Sequence, residues 1–197
     1  MDLTRLSQPT TDRMRGLFGP YIAGPMRLNL GSARNHEPGF LSLDRSSKVD
    51  ADVVWDLEQT PLPFGPDTFD VVFGSHVFEH IASFIPLVRD LHRILKPGGF
   101  LISVTPYGSS DDAWDNPFHL RGFSENTWGY FDERLYRQPH AGNGDFGIDF
   151  TFQIVETRLI PYPDYRVLSD EDLTAAVRTH RNVVRELQVI MVKECAA

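Results

Sequence analysis

The stretch Leu62 to Ile81, reading LPFGPDTFDVVFGSHVFEHI, constrains this chain more than any other. A Pro/Gly/Asp turn runs into the apolar segment Phe69-Asp70-Val71-Val72-Phe73, which stops at Gly74-Ser75. A helical pattern then opens at His76-Val77-Phe78-Glu79-His80. Buried strands that end in small residues and give way to a helix are where open α/β sheets place their ligands. The chain around this stretch must therefore supply parallel neighbours and a crevice.

Those neighbours are legible on both sides. Met26 to Leu30, Phe40 to Leu43 and Ala51 to Trp55 are short apolar runs bounded by turn residues, too short for helices. They end at Gly31-Ser32-Ala33, Asp44 and Asp56-Leu57 respectively. About 13 residues separate Gly31 from Asp44, against about 20 in a dinucleotide fold. The helix between those two strands must be very short, or a loop through Pro38-Gly39. After Ser83 and Pro86, residues Leu87, Val88, Leu91, Ile94 and Leu95 form one apolar helical face. Pro97-Gly98-Gly99 stops that helix, and Phe100 to Thr105 is the fifth strand. Tyr107 to Gly122 is a long polar and aromatic loop, a kind usually functional or disordered inside a domain. Ser124 caps a helix towards Arg134, Pro139 to Gly147 is flexible, and a strand runs near Phe150 to Ile160. Ser169-Asp170-Glu171-Asp172 starts another helix, and Leu187 to Val192 forms the last strand, with an opening several residues earlier also compatible with the pattern.

The expected fold is α/β: a single, doubly wound domain with a mostly parallel seven-stranded sheet and an antiparallel C-terminal edge. Residues 1–25 read as an N-terminal cap segment and 26–197 as the domain itself. With 41% hydrophobic and 23% charged residues, 197 residues are enough for one real core.

Composition also removes function classes. The net charge of -8 argues against a nucleic-acid partner, which needs a basic surface. The single cysteine, Cys195, excludes an intrachain disulfide and a multi-cysteine metal site. No apolar run approaches the ~18 residues of a membrane helix, and the N-terminus has no secretory core. The expectation is a cytoplasmic protein with no membrane partner; oligomeric state is not encoded in any visible pattern.

In a parallel sheet the strand tips Gly31-Ser32, Asp44, Asp56 and Gly74-Ser75 share one edge and converge on one crevice. A carboxylate at the second tip can accept both hydrogen bonds of a ribose diol; one at the third can accept from an exocyclic amine such as that of adenine. Singly, each Asp is as well explained by turn capping. At the ends of successive strands they favour a nucleoside site.

The segments LNLGS, LSLD, DLEQTPLPFGPDTFDVVFGSHVFEHI and RILKPGGFLISVTP resemble the class I S-adenosylmethionine-dependent methyltransferases, in particular their compact type 11-like group. The resemblance covers Arg27 to Pro106 and weakens beyond. It implies a Rossmann-like methyltransferase fold, S-adenosylmethionine as cofactor, and methyl transfer to an O or N of a small-molecule or sugar-like acceptor. It places Gly31 and Ser32 at the methionine part, Asp44 at the ribose, Asp56 and the Leu57 backbone at adenine, and Ser75 and His76 beside the cofactor. The chain departs from the family's G-x-G turn, since Ala33 stands at the second glycine, and Asn29 stands where an acidic residue is common.

Methyl transfer needs an aligned nucleophile, a dry site and, for O or N acceptors, a base near neutrality. His119 in the long loop is the first candidate for that catalytic role and Asp115 the second; Arg121 could bind an acceptor anion or only a neighbouring Asp. Two other readings compete. The incomplete glycine turn suggests a nucleoside-binding module without turnover. His76/Glu79/His80 match H-x-x-E-H, a zinc-hydrolase pattern, but no third ligand is signalled, so no metal is assigned. A nicotinamide-dependent oxidoreductase would want G-x-G-x-x-G, which is missing.

Overall fold

Seven strands pair in the order β3-β2-β1-β4-β5-β7-β6. They are β1 (Arg27–Leu30), β2 (Leu41–Asp44), β3 (Val53–Val54), β4 (Phe69–Ser75), β5 (Leu95–Pro106), β6 (Phe152–Pro161) and β7 (Val184–Lys193). The structure is a computed structural model that describes residues 26–33, 37–136 and 147–194. The expected N-terminal cap, most of the Pro139–Gly147 stretch and Cys195 lie outside the described residues. The first five strands in the order are parallel, and β7 runs antiparallel to both β5 and β6. This is the expected α/β sheet with an antiparallel C-terminal edge.

The apolar alternation of β4 explains why both faces are covered. Phe69 and Val72 enter the larger core with Leu28, Leu30, Leu43 and Leu101, while Val71 and Phe73 join Ile102 and Val104 on the other side. Helix α1 (Phe84–Ile94) packs on the larger core through Phe84, Leu87, Val88, Leu91 and Ile94, all buried, as its apolar spacing requires. Each such side chain stabilises the fold by roughly 1.5–3 kcal/mol through burial.

The crossovers are leaner than a strand-helix alternation. Among the described residues, α1 is the one α-helix between consecutive parallel strands; β1–β2, β2–β3 and β3–β4 are joined by turns and bends. Strand β3 keeps only two of its five expected residues. At the other end of α1, the helix stops at Ile94 and Leu95 already pairs with Phe69. Lys96-Pro97-Gly98-Gly99 is then a bulge within β5, where Gly98 takes φ +79°. The expected helix after Ser124 is split into α2 (Glu125–Gly129) and α3 (Glu133–Tyr136). Asp132, buried between them, accepts from the Arg134 and Ile154 N–H groups. Helix α4 (Asp170–Thr179) begins as its sequence indicates, with Ser169 Oγ accepting from Asp172 N at 3.2 Å.

One buried carboxylate fastens the segment before β4 to α1. Asp90 Oδ2 accepts from Leu62 N at 2.6 Å and from Arg93 at 3.0 Å, while Arg93 also donates to the carbonyls of Phe64 and Leu62. Removing Asp90 strands a guanidinium and an amide at a mostly buried position. Asp90→Ala is expected to lower unfolding free energy by about 2–4 kcal/mol, measured by urea denaturation; a loss under about 0.5 kcal/mol would refute this role.

Candidate active site

The chain order reverses between β1 and β4: from β1 the sheet runs one way to β2 and β3, and the other way to β4 and β5. A crevice opens at the carboxyl ends of strands at such a point. Here it is a cavity of about 450 Å³ with walls from Gly31, Asp44, Asp56, Leu57, His76 and Val77 on the strand tips, joined by His80, Phe118 and Leu120.

Gly31 sets how closely the first and fourth tips approach. It takes φ +57°, and a Cβ there would collide with the Val77 side chain. Gly74, one layer below, has no room either, since a Cβ would lie 2.6 Å from the Phe78 ring. The turn after β1 is completed by Ala33, which adopts φ +47°, and its N–H donates to Asp44 Oδ2 at 2.9 Å. The left-handed conformation that favours a second glycine is therefore present on an alanine, at a strain of about 1–2 kcal/mol.

Asp44 Oδ1 accepts from Ser46 N at 2.8 Å, so each carboxylate oxygen has one backbone partner and a lone pair left for the crevice. Asp56 Oδ1 accepts from Glu58 N at 3.0 Å. Glu58, also on the crevice wall, reaches to the start of α1, where its carboxylate accepts from Ala82 N at 2.6 Å and Ser83 N at 2.9 Å. Ser83 makes no side-chain cap, and the Glu58 carboxylate instead satisfies the amides leading into α1, at the positive end of the helix. Arg121 joins the same junction, donating to the carbonyls of Ile81 and Ala82 with its guanidinium over the Phe84 ring. Arg121 is thus engaged with backbone and not held open for an acceptor anion.

His76 sits at the elbow with φ +54°, and no α-helix begins there: Phe78–His80 is a single 3₁₀ turn. Its Nδ1 is 3.5 Å from Glu79 and its Nε2 3.4 Å from Glu186. Burial lowers its pKa, but the carboxylates of Glu186 and Glu79 outweigh that and raise it to about 9. The H-x-x-E-H pattern does not lie on a helical face, so the zinc-hydrolase arrangement of two His one turn apart does not form.

Of the cofactor residues named from the sequence, Gly31, Asp44, Asp56, Leu57 and His76 line the crevice. Ser32 is buried beneath the turn and Ser75 lies at the end of β4; neither is a wall residue. The two catalytic candidates are not wall residues either. Asp115 is exposed on the loop, its N–H bonded to Asp111 O. The His119 side chain is 7% exposed, with Nδ1 3.0 Å from Ala113 O and Nε2 3.9 Å from Glu79. Its neighbours Phe118, 75% exposed, and Leu120 face the crevice instead. Sequence reasoning missed Arg45, Glu58, Val77, His80, Ile81 and Pro117 as walls. Arg45 and Glu58 lie directly beside named strand tips, a signal that could have found them.

With this geometry in hand, the relatives can be placed. The family described as "Methyltransferase domain" matches residues 33–103. Over those residues, about a third of the chain, the sequence is similar to methyltransferase domains. A protein from Mycolicibacterium gilvum described as an uncharacterized methyltransferase is 33% identical over 92 residues, which is 45% of this chain. The chain spans about a third of that relative's length, 34%. Among solved structures, a SAM-dependent methyltransferase from Archaeoglobus fulgidus superposes with TM-score 0.59 at 17% identity, covering 91% of each chain. One from Mesorhizobium loti gives TM-score 0.58 at 16% identity, covering 92% of this chain and 96% of its own. At these identities the structural likeness speaks for the fold. Among the described residues no helix is long and apolar enough to cross a membrane.

The Glu58 cap gives this domain a pH signature. Although burial works against it, the Ser83 and Ala82 amides, the Ser83 hydroxyl and Arg121 together hold the Glu58 carboxyl below its ordinary range. A depressed carboxyl pKa stabilises the fold above the unfolded-state value, and that contribution disappears as pH falls through the folded-state value. Glu58→Ala is expected to cost about 1–2 kcal/mol at neutral pH. The gap to wild type should close as the pH drops below about 4. Thermal melts of both proteins across that range check it; a gap independent of pH would be the wrong result.

Proposed function

We propose that this domain binds S-adenosylmethionine in the crevice at the strand tips and transfers its methyl group to an oxygen or nitrogen of a small-molecule acceptor. The observation that carries the reading is the convergence of Gly31, Asp44 and Asp56 on one crevice. The first is a turn without room for a side chain; the others are carboxylates with lone pairs to spare at the ends of neighbouring parallel strands. Those features fit the three parts of the cofactor. Asp44 accepts from the ribose hydroxyls, Asp56 accepts from the adenine amine beside Leu57, and the Gly31 backbone admits the methionine part at close range.

When bound, the cofactor supplies an electrophilic methyl group for in-line displacement. The protein's share is alignment and exclusion of water. Phe118 and Leu120, apolar and exposed at the crevice mouth, provide a surface for an acceptor to cover. The His119 ring stands behind His80, 4.6 Å away centre to centre, so the imidazole that meets an acceptor at this end is His80. His119 lies behind that ring, and Asp115 is exposed on the loop outside the crevice walls. The net charge of -8 keeps nucleic acid disfavoured as acceptor.

Calorimetric titration tests the reading. S-adenosylmethionine or its demethylated product should bind with Kd between about 1 µM and 1 mM, the usual range for enzyme substrates. Asp44→Asn and Asp56→Ala, checked for an intact melt, should each weaken binding at least about tenfold, since each loses a hydrogen bond to a charged group. Binding of neither form, or equal binding by the folded variants, would overturn it.

A further inference from the structure

We propose that Glu79, His80 and His119 form a binding site for a divalent transition-metal ion at the end of the crevice nearest the long loop. One ligand atom from each of the three residues lies within 4.8 Å of the others. What distinguishes them from a chance group is that every donor is already prepared for a metal.

Glu79 is 1% exposed, and neither of its carboxylate oxygens has a hydrogen-bond partner. The nearest positive charge, His76 Nδ1, stands 3.5 Å away, beyond a good hydrogen bond. A buried carboxylate met only by that one imidazole contact keeps lone pairs that a further cation can meet. Each imidazole meanwhile has one nitrogen committed. His119 Nδ1 faces Ala113 O at 3.0 Å and His80 Nδ1 faces Phe118 O at 3.2 Å. A carbonyl oxygen only accepts, so in each neutral ring Nδ1 carries the proton and Nε2 keeps its lone pair. A ring N–H donated to a backbone carbonyl, with the other nitrogen free, is the orientation metal-ligating histidines adopt.

The backbone explains why a loop histidine reaches a residue forty positions earlier. Leu120 N donates to Glu79 O at 2.8 Å, and Phe118 O receives His80. His119 lies between those two ties, and its Nε2 is brought to 3.9 Å from Glu79 Oε1. A tetrahedral zinc shell, with ligands about 2.0–2.1 Å from the metal, sets them roughly 3.3 Å apart. Closure therefore needs side-chain movements of about 1 Å or less. Two imidazoles and a carboxylate suit zinc and its first-row neighbours, whereas magnesium and calcium prefer oxygen alone.

This is a different use of the H-x-x-E-H segment from a zinc hydrolase. Glu79 is here a ligand and not a base, His76 is not required, and the third ligand comes from the loop. Because His80 also lines the crevice, open coordination positions would face it, where an acceptor oxygen could complete the shell. That last step rests on the methyl-transfer reading; the metal site itself does not.

The test uses the full chain without an affinity tag, stripped with a chelator and titrated with zinc in competition with a chromophoric chelator. The expected result is a single equivalent bound, with Glu79→Gln and His119→Gln each weakening it at least about tenfold. His180→Gln, at the far end of α4, should leave it unchanged. If either variant fails to fold by circular dichroism, zinc-edge X-ray absorption of the wild type decides, with nitrogen and oxygen ligands including imidazole expected and no sulfur. No stoichiometric binding, undiminished affinity in the folded variants, or a sulfur ligand from Cys195 would each overturn the site. The titration needs no S-adenosylmethionine, so its failure leaves the methyl-transfer reading standing.

Discussion

No side chain can stand between Gly31 and Val77, and the rest of the site follows from that contact. It brings the tip of β1 against the elbow after β4 at the point where the sheet order reverses, so the crevice has a fixed floor. Substituting any larger residue would act twice, through a left-handed φ and through the clash. The same geometry makes Ala33 accept a left-handed conformation so that its N–H can reach Asp44. The strain is local, and the hydrogen bond it permits orients the carboxylate that faces the crevice.

Around that floor the charged residues divide into two sets. Asp44 holds turns through both carboxylate oxygens and Asp56 through one, and each keeps further lone pairs for a ligand. Glu58, Arg121, Asp90 and Arg93 are spent on structure, tying β3, the segment before β4 and the long loop to the two sides of α1. An aromatic group reinforces the loop's position. Trp128 packs with Phe78, Phe84 and Phe123 at ring separations of 5.2–5.7 Å, so the residues beyond the loop are anchored in the main core. The loop is tied to the 3₁₀ turn and the residues after it by Leu120 N on Glu79 O, by His80 Nδ1 on Phe118 O and by the Arg121 guanidinium, which is how a segment with little regular structure presents fixed walls.

Much of this was legible from residues alone. The strand tips were marked by Gly31, Asp44, Asp56 and Gly74, because short apolar runs stop abruptly at residues that cannot continue them. The apolar spacing of Leu87, Val88, Leu91 and Ile94 fixed the one crossover helix. Among the described residues no α-helix joins β1, β2, β3 and β4, because the connections are short; between β3 and β4 the chain also carries Pro61, Pro63 and Pro66, which suit turns. The Pro97-Gly98-Gly99 stop was misplaced by a few residues, since a glycine-rich bulge can belong to a strand as well as end a helix. His76 was expected to open a helix, yet its φ of +54° could not be read from a pattern that fits helix and elbow equally. His119 was singled out for its chemistry, but its direction depends on the Leu120–Glu79 and Ala113 hydrogen bonds, which are tertiary.

The central claim is that one crevice, built on Gly31, Asp44 and Asp56, receives the cofactor. The most direct measurement is a crystal structure of the chain with S-adenosylhomocysteine. Ribose hydroxyls are expected within hydrogen-bond distance of Asp44, the adenine amine at Asp56 beside Leu57, and the sulfur end passing Gly31 towards His76. A ligand bound elsewhere on the fold, or bound here without contact to Asp44 and Asp56, would contradict it.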